Sequence, residues 1–260
     1  MNSNASAREN DTPAIVMKDV YKAFGPRQVL DGMSITIPRG DTVVIVGGSG
    51  TGKSVTLKHM IGLLKPDRGH VVVDGQDLCC MKPVEMNTFR RRFGMSFQEG
   101  ALFDSMSVFE NIAFPLRRHT KMSEGEIRDR VQECLVLVHL KDVDSKRPSE
   151  LSGGMRRRVG FARAISLEPQ ILLFDEPTTG LDPVISDVIA ELIVEMDETL
   201  NTTTVTITHD MQVAFKIADR IAMLHQGKII EQGSVDEFRN SSNPMVQQFI
   251  AGRAEGPLTE

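Results

Sequence analysis

The chain has 260 residues, of which 40% are hydrophobic and 25% charged, enough to bury one large core or two small ones and too apolar for an intrinsically disordered protein. Its formal charge of -5 at pH 7 argues against a nucleic-acid binder that works through a bulk basic surface. The three cysteines, Cys79, Cys80 and Cys134, form no CxxC or Cys/His cluster, so neither a disulfide framework nor a zinc site is indicated, and all three read as packing residues in a reducing compartment.

The opening, Met1 to Asp11, lacks the basic and apolar regions of a signal peptide, and residues 1–13 read as a disordered leader. Apolar stretches at Ala14 to Val20, Ser34 to Ile37, Val43 to Val46 and Val71 to Val73, separated by Gly, Pro and Asp, predict strands and the start of an α/β sheet. From Ala101 to Ile165 the spacing turns helical: Ser123-x-x-Glu126 is a capping box, followed by Ile127, Val131, Leu135 and Val138 on one face. This marks an inserted helical unit, at about residues 99–165. The longest apolar run, Cys134 to Val138, is far short of the roughly 20 residues that span a bilayer.

Strand patterns return at Ile171 to Phe174, Thr203 to Thr208, Ile221 to Leu224 and Lys228 to Glu231. Between the first two, Asp182-Pro183 opens a helix whose apolar face is Val184, Ile185, Val188, Ile189, Leu192, Ile193 and Met196. A short helix at Pro244 to Ala251 comes next, and residues 253–260 read as a flexible tail.

Gly47-Gly48-Ser49-Gly50-Thr51-Gly52-Lys53-Ser54 fits Gly-x-x-x-x-Gly-Lys-Ser, with an apolar strand before it and a helix after, the context in which this spacing binds nucleotide. The glycines let backbone N–H groups converge on a β-phosphate and the helix N-terminus adds a favourable dipole. Lys53 then reaches the β and γ oxygens, and Ser54 is a ligand for Mg²⁺.

Ile171 to Phe174 is a buried-strand pattern ending in Asp175-Glu176. In a chain with a phosphate loop, Asp175 is expected to hold Mg²⁺ and Glu176 to polarise the attacking water as a general base. His209 follows the strand Thr204 to Thr208, at the edge where a parallel sheet presents ligands, and is expected to touch the γ-phosphate and link it to Glu176.

With Leu151-Ser152-Gly153-Gly154, Gln98 after a strand, and Leu181-Asp182 shortly after Glu176, the set resembles the ATP-binding cassette (ABC) ATPases over roughly residues 14–252. The resemblance implies an α/β fold: a P-loop NTPase core of ABC type with an N-terminal antiparallel β subdomain and an inserted α-helical subdomain. It implies ATP and Mg²⁺ as cofactors, with Ser54, Gln98 and Asp175 around the metal and Glu176, His209 and Gln98 in catalysis. Ser152, Gly153 and Gly154, with Asp182, would complete the site of a second copy of the chain in a head-to-tail dimer. Adenine would stack on an aromatic residue ahead of the phosphate loop, and Phe24 fits that position better than Tyr21.

Met155 stands where most members of the family have Gln, a substitution found in the branch that powers Mla/Mce-type lipid transporters. Phe97 to Phe103 and Phe109 to Thr120 resemble the same branch, although Arg118 stands where that branch commonly has an acidic residue. By this resemblance integral membrane permease subunits dock near Gln98 to Thr120, with Leu102, Phe103, Phe109 and Phe114 as apolar anchors and Arg117 and Arg118 as a basic rim. About half of these aromatics should instead be core. An MCE-domain protein belongs to the same complex, and the chain would sit at the cytoplasmic face of the inner membrane.

Two arginine runs, Arg90 to Arg92 and Arg156 to Arg158, invite a nucleic-acid reading. They fit better as salt-bridge donors or a solvated face in the first case, and as contacts to a partner or to acidic neighbours in the second. The function implied is the motor subunit of a bacterial ABC transporter for phospholipid or other hydrophobic molecules. The alternatives are an importer motor for a small polar solute such as an amino acid, and a soluble ABC ATPase of translation or DNA repair.

Overall fold

The structure is a computed structural model and describes residues 12–259. The expected leader therefore lies, but for residues 12 and 13, outside the described residues. Two sheets organise the chain. Strands β1 (Ile15–Phe24) and β2 (Arg27–Ile37) pair as a hairpin, and β4 (Arg68–Val73) and β5 (Gln76–Asp77) extend it into an antiparallel sheet of order β2-β1-β4-β5.

The second sheet has the order β10 (Lys228–Ser234), β9 (Arg220–His225), β3 (Thr42–Val46), β8 (Thr203–Thr208), β7 (Ile171–Asp175), β6 (Phe93–Ser96). All neighbours from β9 to β6 are parallel, and only β10 is antiparallel. Every residue of β3, β7 and β8 is buried. A central parallel strand is covered on both faces, so its sequence reads as a continuous apolar or β-branched run.

Because side chains alternate along a strand, this sheet feeds two cores. Val44, Val46, Leu172 and Phe174 pack toward the helices, whereas Val43, Ile45, Ile171 and Leu173 pack with the antiparallel sheet and with α1 (Lys53–Met60) and α2 (Pro83–Phe89).

Between β6 and β7 the chain forms α3 (Val108–His119), α4 (Glu124–Leu137) and α5 (Gly153–Ile165). The capping box of α4 closes reciprocally: Glu126 N–H donates to Ser123 Oγ at 3.3 Å and Ser123 N–H to Glu126 Oε2 at 2.7 Å. Its apolar face, Ile127, Val131, Leu135 and Val138, is buried. Helix α6 (Pro183–Leu200) starts at the expected Asp182 cap, and α7 (Met211–Ile217), α8 (Val235–Arg239) and α9 (Pro244–Ala251) complete the described chain.

Some expectations are corrected. Val184 is 72% exposed, because helical phase turns it away from the core that Ile189, Leu192, Ile193 and Met196 fill, while Ile185 packs on that core and Ser186 is buried. Cys80 is exposed, with Sγ 3.7 Å from Asp77 Oδ2, and does not pack; Cys134 does, and burial pushes its thiol up to about 11. Residues 253–259, expected to be a flexible tail, turn back on α9: Leu258 N–H donates to Gln248 Oε1 at 2.8 Å.

A close backbone approach holds α5 against the loop that follows β6. A Cβ on Gly160 of α5 would lie 2.9 Å from Gly100 Cα, and Arg163 Nη2 donates to the Gly100 carbonyl at 2.8 Å. Only two glycines allow this approach. Gly160→Ala should therefore cost about 1–3 kcal/mol through overpacking, read as a fall in Tm, whereas Gly125→Ala on α4, whose Cβ would meet only Ser123 Oγ at 3.9 Å, should leave Tm unchanged or raise it.

Candidate functional site

Four neighbouring parallel strands deliver side chains to one edge of the sheet. The phosphate loop follows β3, His209 follows β8, Asp175 and Glu176 end β7, and Gln98 lies just past β6. Carboxyl ends of parallel strands are where α/β sheets place ligands. One cleft is lined by Phe24, Gly48, Ser49, Gly50, Gly52, Lys53, Ser54, Gln98, Glu176 and His209 together.

The loop geometry explains its glycines. Gly47 has φ 155° and a Cβ there would come within 2.3 Å of the Leu224 carbonyl oxygen; Gly52, at φ 107°, caps α1 in left-handed backbone. Thr51 Oγ1 donates back to the Gly48 carbonyl at 2.9 Å. The Lys53 ammonium, 7% exposed, donates to the carbonyls of Gly47 at 2.8 Å and Gly48 at 3.0 Å and lies 3.3 Å from Glu176 Oε1. It is thus held in the loop by groups that a phosphate oxygen would replace.

Glu176 has φ 50°, a left-handed conformation that costs a non-glycine residue about 1–2 kcal/mol. Its N–H still donates to the Ile207 carbonyl at 3.0 Å, so the strand pairing persists while the side chain swings to the sheet edge. There Glu176 Oε2 lies 2.8 Å from His209 Nδ1 and accepts from Thr179 Oγ1 at 2.9 Å. Asp175 Oδ1 accepts from Ser54 Oγ at 3.0 Å. Burial first, and the Glu176 charge further, raise the Asp175 carboxyl above its ordinary value against the lowering effect of Ser54.

Among the described residues no group of three or more His, Cys, Asp or Glu could hold a metal ion. The donor set nevertheless suits Mg²⁺: one hydroxyl, one carboxylate that burial has left short of counter-charge, and Gln98 in the same cleft. Such an ion takes few protein ligands and relies on substrate phosphates and water for the rest.

Phe24 is 47% exposed at the cleft, with Lys22 Nζ 5.6 Å from its ring centroid. Tyr21 is engaged elsewhere, under the Arg68 guanidinium at 4.1 Å. Ser152, Gly153, Gly154 and Asp182 do not line the cleft. Ser152 caps α5, accepting from Met155 N–H at 3.3 Å, and Asp182 caps α6, accepting from Val184 N–H at 3.1 Å and Ile185 N–H at 3.0 Å. The two turns touch: a Cβ on Gly153 would lie 3.2 Å from Leu181 Cδ2, and one on Gly154 2.9 Å from Ile185 Cγ2.

Sequence reasoning missed Thr179 and the burial of Arg157. Arg157 is only 3% exposed; its Nη1 donates to the Glu176 carbonyl at 2.8 Å and its Nη2 to that of Thr179. Arg156 and Arg158 donate to the carbonyls of Leu151 and His139. These contacts are to backbone of the same chain, and helical phase separates the buried Arg157 from its neighbours. In the other run, Arg90 donates to the Ile61 and Gly62 carbonyls, Arg91 to that of His119, and Arg92 pairs with Asp74 at 3.2 Å.

The expected docking segment divides as anticipated. Leu102 and Phe109 pack on the core, while Phe103 and Phe114 are each 43% exposed with ring centroids 5.1 Å apart. Arg117 forms a two-pronged pair with Glu124, at 2.9 and 2.7 Å.

The family model described as ABC transporter matches residues 30–179. The chain is 43% identical over 245 residues to the probable ribonucleotide transport ATP-binding protein mkl of Mycobacterium tuberculosis, covering 94% of this chain and 68% of that one. It is 40% identical over 242 residues to the intermembrane phospholipid transport system ATP-binding protein MlaF of Escherichia coli, covering 93% and 90%. With the chloroplastic protein TRIGALACTOSYLDIACYLGLYCEROL 3 of Arabidopsis thaliana it shares 42% over 267 residues, covering 96% and 77%. Among solved structures, the dimeric ATP-binding cassette MJ0796 in a post-hydrolysis state with ADP and Pi superposes with a TM-score of 0.78 at 32% identity, covering 85% of this chain and 98% of that one. The chain belongs to the ATP-binding subunits of ABC transporters and is an ATPase of that family.

Proposed function

We propose that this chain is the ATP-hydrolysing motor of a bacterial ABC transporter that moves phospholipid or another hydrophobic molecule through the cell envelope. The observation that carries the cargo reading is the likeness to MlaF along nine-tenths of both chains, joined to Met155 and the segment Phe97 to Thr120. The likeness to mkl supports the same cassette, although that protein is named for ribonucleotide transport.

In this reading adenine stacks on Phe24, the amides of Gly47 to Ser54 surround the phosphates, and Lys53 exchanges its loop carbonyls for β and γ oxygens. Mg²⁺, held by Ser54, Gln98 and Asp175, would neutralise phosphate charge. Glu176 accepts a proton from the attacking water, and His209 orients Glu176 while facing the γ-phosphate. The site is completed by a second copy of the chain, whose Ser152, Gly153, Gly154 and Asp182 close over the nucleotide. Their absence from the cleft within one subunit supports this division.

No helix among the described residues is long and apolar enough to cross a membrane. The chain would be held at the cytoplasmic face of the inner membrane by permease subunits seated near Gln98 to Thr120, with an MCE-domain protein in the same complex. The exposed pair Phe103 and Phe114 supports that seat: packed aromatic anchors of this kind dominate interface energetics.

Glu176→Gln should reduce ATP turnover by at least about 100-fold while ATP binding and a nucleotide-dependent dimer persist; residual hydrolysis near the starting rate would remove Glu176 from its role. Phe103→Glu with Phe114→Glu should release the subunit from detergent-solubilised native membranes while leaving ATP binding intact. Unchanged co-purification of a permease would place the seat elsewhere. Lipid co-purifying with the intact complex, identified by mass spectrometry, tests the cargo.

A further inference from the structure

The segment after α9 is a built turn. Gly252 ends the helix in left-handed backbone at φ 61°, and Arg253 N–H donates to the Gln248 carbonyl at 3.2 Å. Gln248, 6% exposed, then clamps the returning chain from both ends of its carboxamide: Nε2 donates to the Arg253 carbonyl at 3.2 Å and Oε1 accepts from Leu258 N–H at 2.8 Å. Gly256 sits at φ 143°, where a Cβ would come within 2.6 Å of that carboxamide. Thr259 Oγ1 donates to the carbonyls of Ala254 and Gly256, both at 2.9 Å, and Leu258 packs on the helical core.

This turn lines the nucleotide cleft. Arg253, Leu258 and Thr259 border the same space as Phe24, Arg27 and the phosphate loop. The cationic side chains lining it are Arg27, Lys53 and Arg253. Lys53 is tied to the loop carbonyls and Glu176, and Arg27 Nη2 lies 3.3 Å from the Gly50 carbonyl oxygen. The Arg253 guanidinium is exposed, and it is the backbone carbonyl of this residue that Gln248 engages. A cleft that receives a polyanion and holds an uncommitted guanidinium on a clamped turn has the chemistry of a charge-assisted phosphate contact.

We propose that residues 252–259 are a wall of the nucleotide site within the same subunit, and that Arg253 pairs with the polyphosphate of the bound nucleotide. The proposal rests on the nucleotide reading of this cleft and adds a contact from a part of the chain outside every motif of the sequence.

The test is equilibrium titration of the full chain with a non-hydrolysable ATP analogue and Mg²⁺, and separately with adenosine. Arg253→Ala should weaken analogue binding roughly tenfold, the scale of one charge-assisted hydrogen bond, with little effect on adenosine. Arg253→Lys should recover part of the loss, and the salt dependence of analogue binding should be shallower in Arg253→Ala. Gly256→Ala, which forces the turn off Gln248, should reproduce the loss with Arg253 intact. Lys53→Ala serves as reference. If Lys53→Ala loses the analogue while Arg253→Ala and Gly256→Ala bind as the unaltered chain does, the wall is refuted and the cleft stands. Tighter binding in the Arg253 or Gly256 variants equally refutes it, marking the turn as an obstruction. If Lys53→Ala also binds normally, the nucleotide reading of the cleft itself fails.

Discussion

The parallel alignment of β3, β8, β7 and β6 is the constraint on which the site depends. Register places Val46 beside Thr208, Ile207 beside Asp175, and Phe174 beside Ser96, so the four strands end at nearly one level. Every polar group of the cleft then emerges past an apolar ladder that has no freedom to shift, since a slip of one residue would turn each strand's side chains to the opposite core. The left-handed turn at Glu176 is tolerated for the same reason. Its N–H remains in the ladder through the Ile207 carbonyl, and Arg157 holds its carbonyl from the other side. Backbone strain of this kind persists where surrounding contacts over-determine it.

Much of this was legible in the sequence because the signals are local. A phosphate loop needs glycines where backbone must pass within a few ångströms of a neighbour, and Gly47 against Leu224 is such a place. Strands buried on both faces leave continuous apolar runs, and Asp175 and Glu176 were readable as the end of one. The caps at Ser123 and Asp182 announce their helices by chemistry confined to four residues. The cleft's remaining walls have no local signature. Thr179 reaches Glu176 through a loop, Arg157 is buried by helical phase alone, and the turn at residues 252–259 depends on a buried glutamine in the preceding helix. Composition marked that last segment as a fraying end because its few apolar residues, Ala254, Pro257 and Leu258, follow no helical or strand spacing.

The electrostatics of the cleft describe a site arranged for a charge it does not itself contain. Lys53 and Glu176 are 3.3 Å apart with exposures of 7% and 13%, so the two charges offset one another inside the cleft. A triphosphate changes that balance. On the proposed reading its oxygens would compete for Lys53 and leave the Glu176 carboxylate to act on water, still in contact with His209 and Thr179.

Helix α5 extends the same logic between subunits. Its first turn presents the amides of Gly153 and Gly154, which an α-helix leaves without intrahelical partners, while Ser152 Oγ occupies only that of Met155. Its second turn carries Arg157, bonded to the Glu176 carbonyl; further along, Gly160 and Arg163 grip the backbone at Gly100, two residues from Gln98. One helix thus touches both the loop that carries Glu176 and the loop that follows β6, while its first turn lies outside the cleft. A displacement of that N-terminus by a nucleotide on the second copy would be carried to Glu176 and Gln98 through contacts too close to absorb it. On the proposed reading, closure against a second copy would need no hinge within α5, which packs on β6 and β7 as well as on the two loops.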